Sequence, residues 1–303
     1  MAGTKEIKRR IKSVKNTRKI TKAMELVAAS KMKRAVNNTL ASRLYSEYSW
    51  NILTSIGENV ENLKHPFFEE REVKNILLIL ITSNRGQCGA YNAQITKKTL
   101  SMLRTKAGYP DANIDLVTVG KKGDAFIRRV GANIIASFLD LPDNASLTDI
   151  LPVSKLAVDE YKEEKYDKVF VAYTDFVSAL SQKPNIRQVL PVSKKELKEL
   201  LSEAGKNADQ NKITEVNKND YIFEGDMQTL VGVLAEKITR MQIYQMILES
   251  NASEQSARMV AMKNATEAAG EMIDDLTLAF NKARQAGITQ EISEISAGMA
   301  SVT

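Results

Sequence analysis

Residues 20–34 read ITKAMELVAASKMKR. They contain no proline, glycine or aromatic residue, and they continue the basic run KEIKRRIKSVKNTRK at 5–19. Across both stretches Ile7, Ile11, Val14, Thr17, Thr21, Met24, Ala28, Met32 and Ala35 recur at steps of three and four. That spacing lines one face of a continuous helix with a period near that of a coiled coil. Gly57 marks its expected end, so the rod spans roughly 80 Å at 1.5 Å per residue.

The same helix carries the charge. Residues 1–36 hold twelve Lys or Arg against Glu6 and Glu25, a net +10, whereas the whole chain is only +6. The remainder is therefore slightly acidic, and the basic character belongs to the first helix. A nucleic-acid reading of that helix meets the absence of a stacking platform, since its first aromatic residue is Tyr45. A membrane-surface reading meets a stripe of Ala, Thr and Met rather than Trp, Phe or Leu. A helix partner on one side and an acidic protein surface on the other account for both features.

The partner is at the other end of the chain. All six prolines lie between 66 and 191, which leaves two long ends free of the residue that breaks helices at about 3 kcal/mol. The C-terminal end carries Leu234, Ile238, Met241, Tyr244, Leu248, Ala252, Gln255, Met259, Met262, Ala265, Ala269, Met272, Leu276, Ala279 and Ala283, again separated by threes and fours. Its helix is expected after a cap at Asp226 and at least to Gly287. Neither stripe can stay exposed in water, so the two ends are expected to pair antiparallel, with a coiled coil between separate chains as the alternative.

The middle alternates strand and helix patterns. Strands are expected at 75–82, 114–120 and 132–137, helices at 92–106, 124–129 and 146–165, and a hairpin from 168 onward with its turn near 181–185. This order specifies an α/β sheet with helices packed on it. Residues 202–219 are polar and aperiodic and read as a loop. The expected domains are a helix at 1–58, an α/β domain at 74–192, a polar loop and foot at 193–226 and a second helix at 227–303.

Function classes narrow quickly. One cysteine, Cys88, excludes an internal disulfide, and one histidine, His65, leaves no His/Cys metal set or Ser/His/Asp triad. The longest aliphatic run, ILLILI at 76–81, is too short to cross a bilayer. No secretory leader is apparent. Two glycine turns after strands, TSNRGQCGAYN at 82–92 and VGKKGD at 119–124, could offer backbone N–H groups to a phosphate, though neither has Walker or dinucleotide spacing. They keep open an α/β nucleotide-binding enzyme with a helical arm, and the basic helix keeps open a nucleic-acid adaptor.

The ends are more specific than their periodicity. MAGTKEIKRRIKSVKNTRKITKAMELVAASKMKRA at the start, SNRGQCGAYN after the first strand and ASEQSARMVAMKNATEAAGEMIDDLTLAFNKARQAGITQEISEISAGMAS at the end resemble, in order, the γ subunit of bacterial F-type ATP synthases. The resemblance implies a long antiparallel coiled coil of the N- and C-terminal helices plus a Rossmann-like α/β domain between them. It implies a rotating central shaft of the proton-translocating complex, without a catalytic site or cofactor of its own. The implied partners are the α and β subunits of the catalytic hexamer, the ε subunit and the c-ring of the membrane sector, with no nucleic acid. The implied location is peripheral, on the cytoplasmic side of a bacterial cell membrane.

By the same resemblance, Met24, Arg258, Arg284, Gln285, Thr289 and Glu291 match positions that couple to or contact the catalytic ring. Tyr221, Phe223 and Glu224, in YIFEGD, match the foot on the membrane rotor. Departures from the family pattern are Asn84 where Asp is usual, Ala90 and Tyr91 for a Gly-Leu pair, Met299 for alanine, and a longer 202–219 loop. The cysteine-pair insert of the chloroplast version is absent. One helix is heavily basic and the other carries Glu267, Glu271, Asp274 and Asp275, so a pair made from them would present unequal faces.

Overall fold

The computed structural model describes residues 4–59, 66–69, 71–143, 145–192 and 227–300. Tyr221, Phe223, Glu224, the expected cap Asp226 and the 202–219 loop lie outside the described residues. In chain order, two long helices, α1 (Thr4–Asn59) and α5 (Met227–Ala300), flank five strands and three shorter α-helices among the described residues. The chain divides into two compact units, one made of residues 1–30 and 258–303, the other of residues 31–257.

The larger unit is built on a five-stranded sheet ordered β3-β2-β1-β4-β5. Its strands are β1 (Asn75–Ile81), β2 (Asn113–Val119), β3 (Ile134–Phe138), β4 (Lys168–Phe176) and β5 (Gln182–Leu190). The first four pair in parallel and β5 closes one edge antiparallel. A central parallel strand is covered on both faces, which is why β1 reads as an unbroken apolar run. Its residues Ile76 to Leu80 are completely buried.

Leu78 and Leu80 face helices α2 (Tyr91–Thr105) and α3 (Lys121–Val130), packing with Ile95, Met102 and Ile127. Leu77, Ile79 and Ile81 point to the opposite face, where α4 (Leu147–Lys162) supplies Ile150, Val153, Ala157 and Tyr161. The first part of α5 supplies Ile238, Ile243, Met246 and Ile247 to the same core. Two right-handed crossovers place α2 and α3 together, and the return to β4 places α4 on the other side. A capping box starts α4, where Ser146 and Asp149 satisfy each other's end groups. Lys162 of α4 and Arg240 of α5 both pair with Glu236. Burial alone would raise the Glu236 carboxyl, but the two cations outweigh it and hold it low.

The hairpin departs from expectation. Its turn lies at residues 177–181, closed by Ser178 and Ser181 bonding each other's backbone, and β5 already begins at Gln182. Pro184 had suggested a turn, yet it pairs with Thr174 inside the ladder. Proline lacks an N–H, and an edge strand is where a sheet tolerates that.

In the smaller unit the two helical segments are antiparallel. Thr266 donates to the Thr21 hydroxyl at 2.8 Å, and the Arg18 guanidinium carbon stands 3.8 Å from where a Cβ on Gly270 would lie. Moving toward the N-terminus on α1 therefore means moving toward the C-terminus on α5. Ile7 and Ala28 are buried, and Ile11, Val14, Thr21 and Met24 are half-buried, as the stripe requires, whereas Thr17 is exposed. On α5 the buried line runs through Met262, Ala269 and Ile273. Met272 is 53% exposed, and Phe280 rather than Ala279 turns partly inward. An α-helix turns every 3.6 residues, so a stripe counted at 3.5 drifts off the contact face within about two heptads.

Candidate functional site

Two surfaces compete for the functional role, and the first is the crevice at the carboxyl ends of β1 and β4. In an open α/β sheet this is where the strand order reverses and where nucleotides bind. Here α5 occupies it. Ser250 accepts from the Thr174 backbone N–H at 3.2 Å and bonds the Tyr91 hydroxyl at 3.1 Å. Ser253 donates to the Thr174 carbonyl at 3.1 Å, and Ser256 donates to the Ala179 carbonyl. The serines recur every three residues, so one helical face satisfies the end of the hairpin group by group. Tyr91, a departure from the family pattern, is part of that seal.

The second glycine turn is closed as well. The first backbone N–H groups of α3 already have acceptors: Lys121 bonds the Asn84 side chain at 3.1 Å, Lys122 the Ser83 carbonyl at 3.1 Å and Gly123 the Thr82 hydroxyl at 2.9 Å. A phosphate-binding helix start needs those donors unsatisfied. Gly120 is required for the close approach itself, since a Cβ there would lie 2.2 Å from the Thr82 carbonyl oxygen at φ +95°. Cys88, in the first glycine turn at 82–92, is buried and accepts from Asn92 at 3.2 Å. Among the described residues no cluster of His, Cys, Asp or Glu could hold a metal ion.

The second surface is the helical pair of the smaller unit. On α1 the two acids are spent locally, Glu6 pairing with Arg10 at 2.8 Å and Glu25 with Lys22 at 2.9 Å. Lys5, Lys8, Arg9, Lys12, Lys15 and Lys19 remain exposed. On α5 the exposed Glu267, Glu271, Asp274 and Asp275 stand among exposed Lys263, Lys282 and Arg284, with Lys263 4.0 Å from Glu267, so this helix is mixed where α1 is basic. Apolar side chains break both faces: Ile20, Leu26 and Val27 on α1 are 55–60% exposed.

The α5 end goes further. Continuing the register from Thr21 opposite Thr266 places Thr4 opposite residues 283–284. Beyond that point no described residue of α1 faces α5. Ile288, Ile292, Ile295 and Met299 nonetheless follow one another at steps of four, three and four, and all are 44–70% exposed. This stripe has the period of a helix face made for a partner. Its spacing was open to view in the sequence, where Met299 had registered only as a departure.

Of the residues picked out by resemblance, the six that are described all belong to the smaller unit. Met24 is half-buried on the α1 stripe, and Arg258 is half-buried where α5 enters this unit. Arg284, Gln285, Thr289 and Glu291 are exposed along the last turns that α1 reaches and just past them. The Thr289 hydroxyl bonds back to the Gln285 carbonyl at 3.0 Å.

Comparison with known proteins agrees with this architecture. The sequence-family model described as ATP synthase matches residues 3–302. The ATP synthase gamma chain of Legionella pneumophila (strain Paris) is 38% identical, and that of Haemophilus influenzae (strain ATCC 51907) is 40% identical. Each alignment covers the whole of both chains. The gamma chain of Cupriavidus necator is 41% identical over the full length of both. Among solved structures, a chain of the Euglena gracilis mitochondrial ATP synthase (OSCP/F1/c-ring) has a TM-score of 0.64 at 20% identity, covering 99% of this chain and 94% of that one. A chain of the Tetrahymena thermophila central stalk and c-ring has a TM-score of 0.55 at 23% identity, covering 81% and 99%. With end-to-end relatives at about two-fifths identity and the same fold in the rotor structures, the chain belongs to the ATP synthase gamma-chain family.

Proposed function

We propose that this chain is the central rotor shaft of an ATP synthase, carrying rotation between a membrane ion-driven ring and catalytic sites on other subunits. The observation that carries the reading is the unequal surface of the helical pair, strongly basic along α1 and mixed, acidic only in places, along α5. A shaft can shift a site only through contacts that differ between the site's states. Moving a site from 1:99 to 99:1 takes about 5.5 kcal/mol of such difference. A featureless rod would treat every surrounding site alike, whereas this one presents a different charge and shape as it turns.

In this reading α and β subunits of a catalytic hexamer surround the pair, and acidic loops on them meet the basic face of α1. Met24 and Arg258 lie along that contact, and Arg284, Gln285, Thr289 and Glu291 meet the ring near the α5 end. The α/β domain at 74–192 and the foot with Tyr221, Phe223 and Glu224 face the ε subunit and the c-ring. Association with the cell membrane would be peripheral, through the complex on its cytoplasmic side. No described helix is long and apolar enough to cross a bilayer.

The test is Met24→Lys in the complete complex reconstituted into vesicles. We expect assembly and ATP hydrolysis to persist while proton pumping per ATP falls severalfold. Pumping at the wild-type ratio would remove Met24 from the contact. Failure of the chain to co-purify with a membrane ATPase would remove the shaft reading altogether.

A further inference from the structure

We propose that the groove between α2 and α3, on the sheet face away from α5, is a docking site for an acidic amphipathic helix of a partner protein. The groove has a volume of about 810 Å³ and lies wholly within the larger unit. Its walls are two stripes of identical spacing. From α2 come Asn92, Ala93, Thr96, Lys97 and Leu100, and from α3 come Lys121, Lys122, Ala125, Phe126 and Arg129. Each stripe extends over about eight residues, so the trench is about 12 Å long, roughly two helical turns.

The chemistry is divided by height. Leu100 and Phe126 are half-buried and form an apolar floor, and the small Ala93 and Ala125 let an incoming helix approach closely. Lys97, Lys122 and Arg129 stand exposed at the rim. None of the lining residues is acidic. Lys121, also at the rim, pairs with Asp140 at 2.9 Å, and among the described residues the other three cations have no ion pair. A low apolar strip between two cationic walls fits a helix with one apolar face and carboxylates along its flanks.

A small phosphate ligand fits worse. The α3 start, which would have to bind it, already gives its Lys121, Lys122 and Gly123 N–H groups to Asn84, Ser83 and Thr82. What remains are separate rim cations over an apolar floor, which grip an extended surface rather than one compact anion. This site does not overlap the helical pair and stands whether or not the shaft reading holds.

The experiment uses the isolated full-length chain with a photo-reactive benzoylphenylalanine at Gln94, exposed on α2 beside the trench but outside its lining. The probes are a fluorescent 18-residue amphipathic peptide of Glu, Leu and Ala and a scrambled peptide of the same composition. The amphipathic peptide is expected to label the chain on irradiation and the scrambled one to label it much less. Lys97→Glu with Arg129→Glu should weaken labelling by about tenfold, from the loss and reversal of two exposed pairings. Charge reversal of Lys8 and Lys12 on α1 should leave it unchanged. Ala93→Trp, which fills the trench without altering charge, should also abolish labelling and covers the case in which the charge-reversed chain misfolds. Equal labelling by both peptides, labelling that survives Ala93→Trp, or competition by inorganic phosphate at concentrations that leave ionic strength unchanged would each overturn the proposal.

Discussion

The antiparallel register of the two chain ends can be locked by a disulfide at Thr21 and Thr266. Their hydroxyl oxygens are 2.8 Å apart and each oxygen is one bond from its Cβ. The two Cβ atoms therefore need to move by no more than about an ångström to reach the range of about 3.5–4.5 Å for a disulfide. The native background is quiet, because the one cysteine, Cys88, is buried. Replacing both threonines removes the bond between them and their bonds to the Arg18 and Met262 carbonyls, about 1 kcal/mol each at most. Closing a loop of 245 residues restricts the unfolded chain by about 5.5 kcal/mol on the chain-entropy account, so the cross-link should dominate. Thr21→Cys with Thr266→Cys should form an intramolecular bridge under mild oxidation, seen as a mobility shift on a non-reducing gel. Its urea midpoint should rise by about 1–2 M over the reduced form. Thr21→Cys with Ile273→Cys is the control, displaced by about 10 Å along the helix. No bridge in the first pair, or bridges of equal yield in both, would refute the register. If α1 and α5 turn as one shaft, the bridged complex should also keep its ATP-driven proton pumping.

Three further outcomes are expected. Gly120→Ala should destabilise the larger unit by about 3 kcal/mol or more in urea unfolding, because its Cβ would meet the Thr82 carbonyl at 2.2 Å with φ at +95°. Asn84→Asp keeps the acceptor for the Lys121 N–H and adds a negative charge at the start of α3, but it loses the amide donor that meets the Leu141 carbonyl at 3.4 Å, so urea unfolding should show a change of no more than about 0.5 kcal/mol, less favourable at high salt. Burial pushes the Tyr161 phenol up to about 12 and raises those of Tyr166, Tyr173 and Tyr244, so the folded chain keeps protons that the unfolded chain releases near 10. Stability should hold below about pH 10 and fall as pH rises through 12, followed by phenolate absorbance and circular dichroism together; early phenolate absorbance without unfolding would refute the burial.

Much of this fold is written locally. β1 is legible because a strand buried on both faces must be apolar at every position, and 76–80 can be nothing else. The long ends are legible because proline is missing and the three-four spacing persists. The misses have physical causes. Pro184 is a turn signal in isolation, and only its place on a sheet edge makes it a strand residue. Met272 and Ile273 are both apolar neighbours, and choosing between them requires the accumulated helical phase. The seal over the β1–β4 crevice joins Tyr91 to Ser250 across 159 residues. The three-residue spacing of Ser250, Ser253 and Ser256 was visible, but nothing local says what a polar helical face will bond.

The exposed surface of the smaller unit divides between two kinds of interaction with different angular consequences. Burying Ile288, Ile292, Ile295 and Met299 inside a surrounding ring would contribute about 1.5–3 kcal/mol for each side chain fully covered. Apolar burial is non-directional and changes little as a rod turns within a smooth sleeve. It can hold an axle in place without favouring an angle. Charge is different, because a basic α1 and a mixed α5 interact unequally with an acidic loop according to which of them meets it. Exposed pairs are individually weak, about 0–1 kcal/mol, so angular discrimination on the order of 5 kcal/mol needs many at once. The exposed basic side chains of α1 in this unit are numerous enough to supply it, and a single substitution among them should therefore be tolerated. On the shaft reading, the apolar end of α5 then bears the load and the charged faces set the phase.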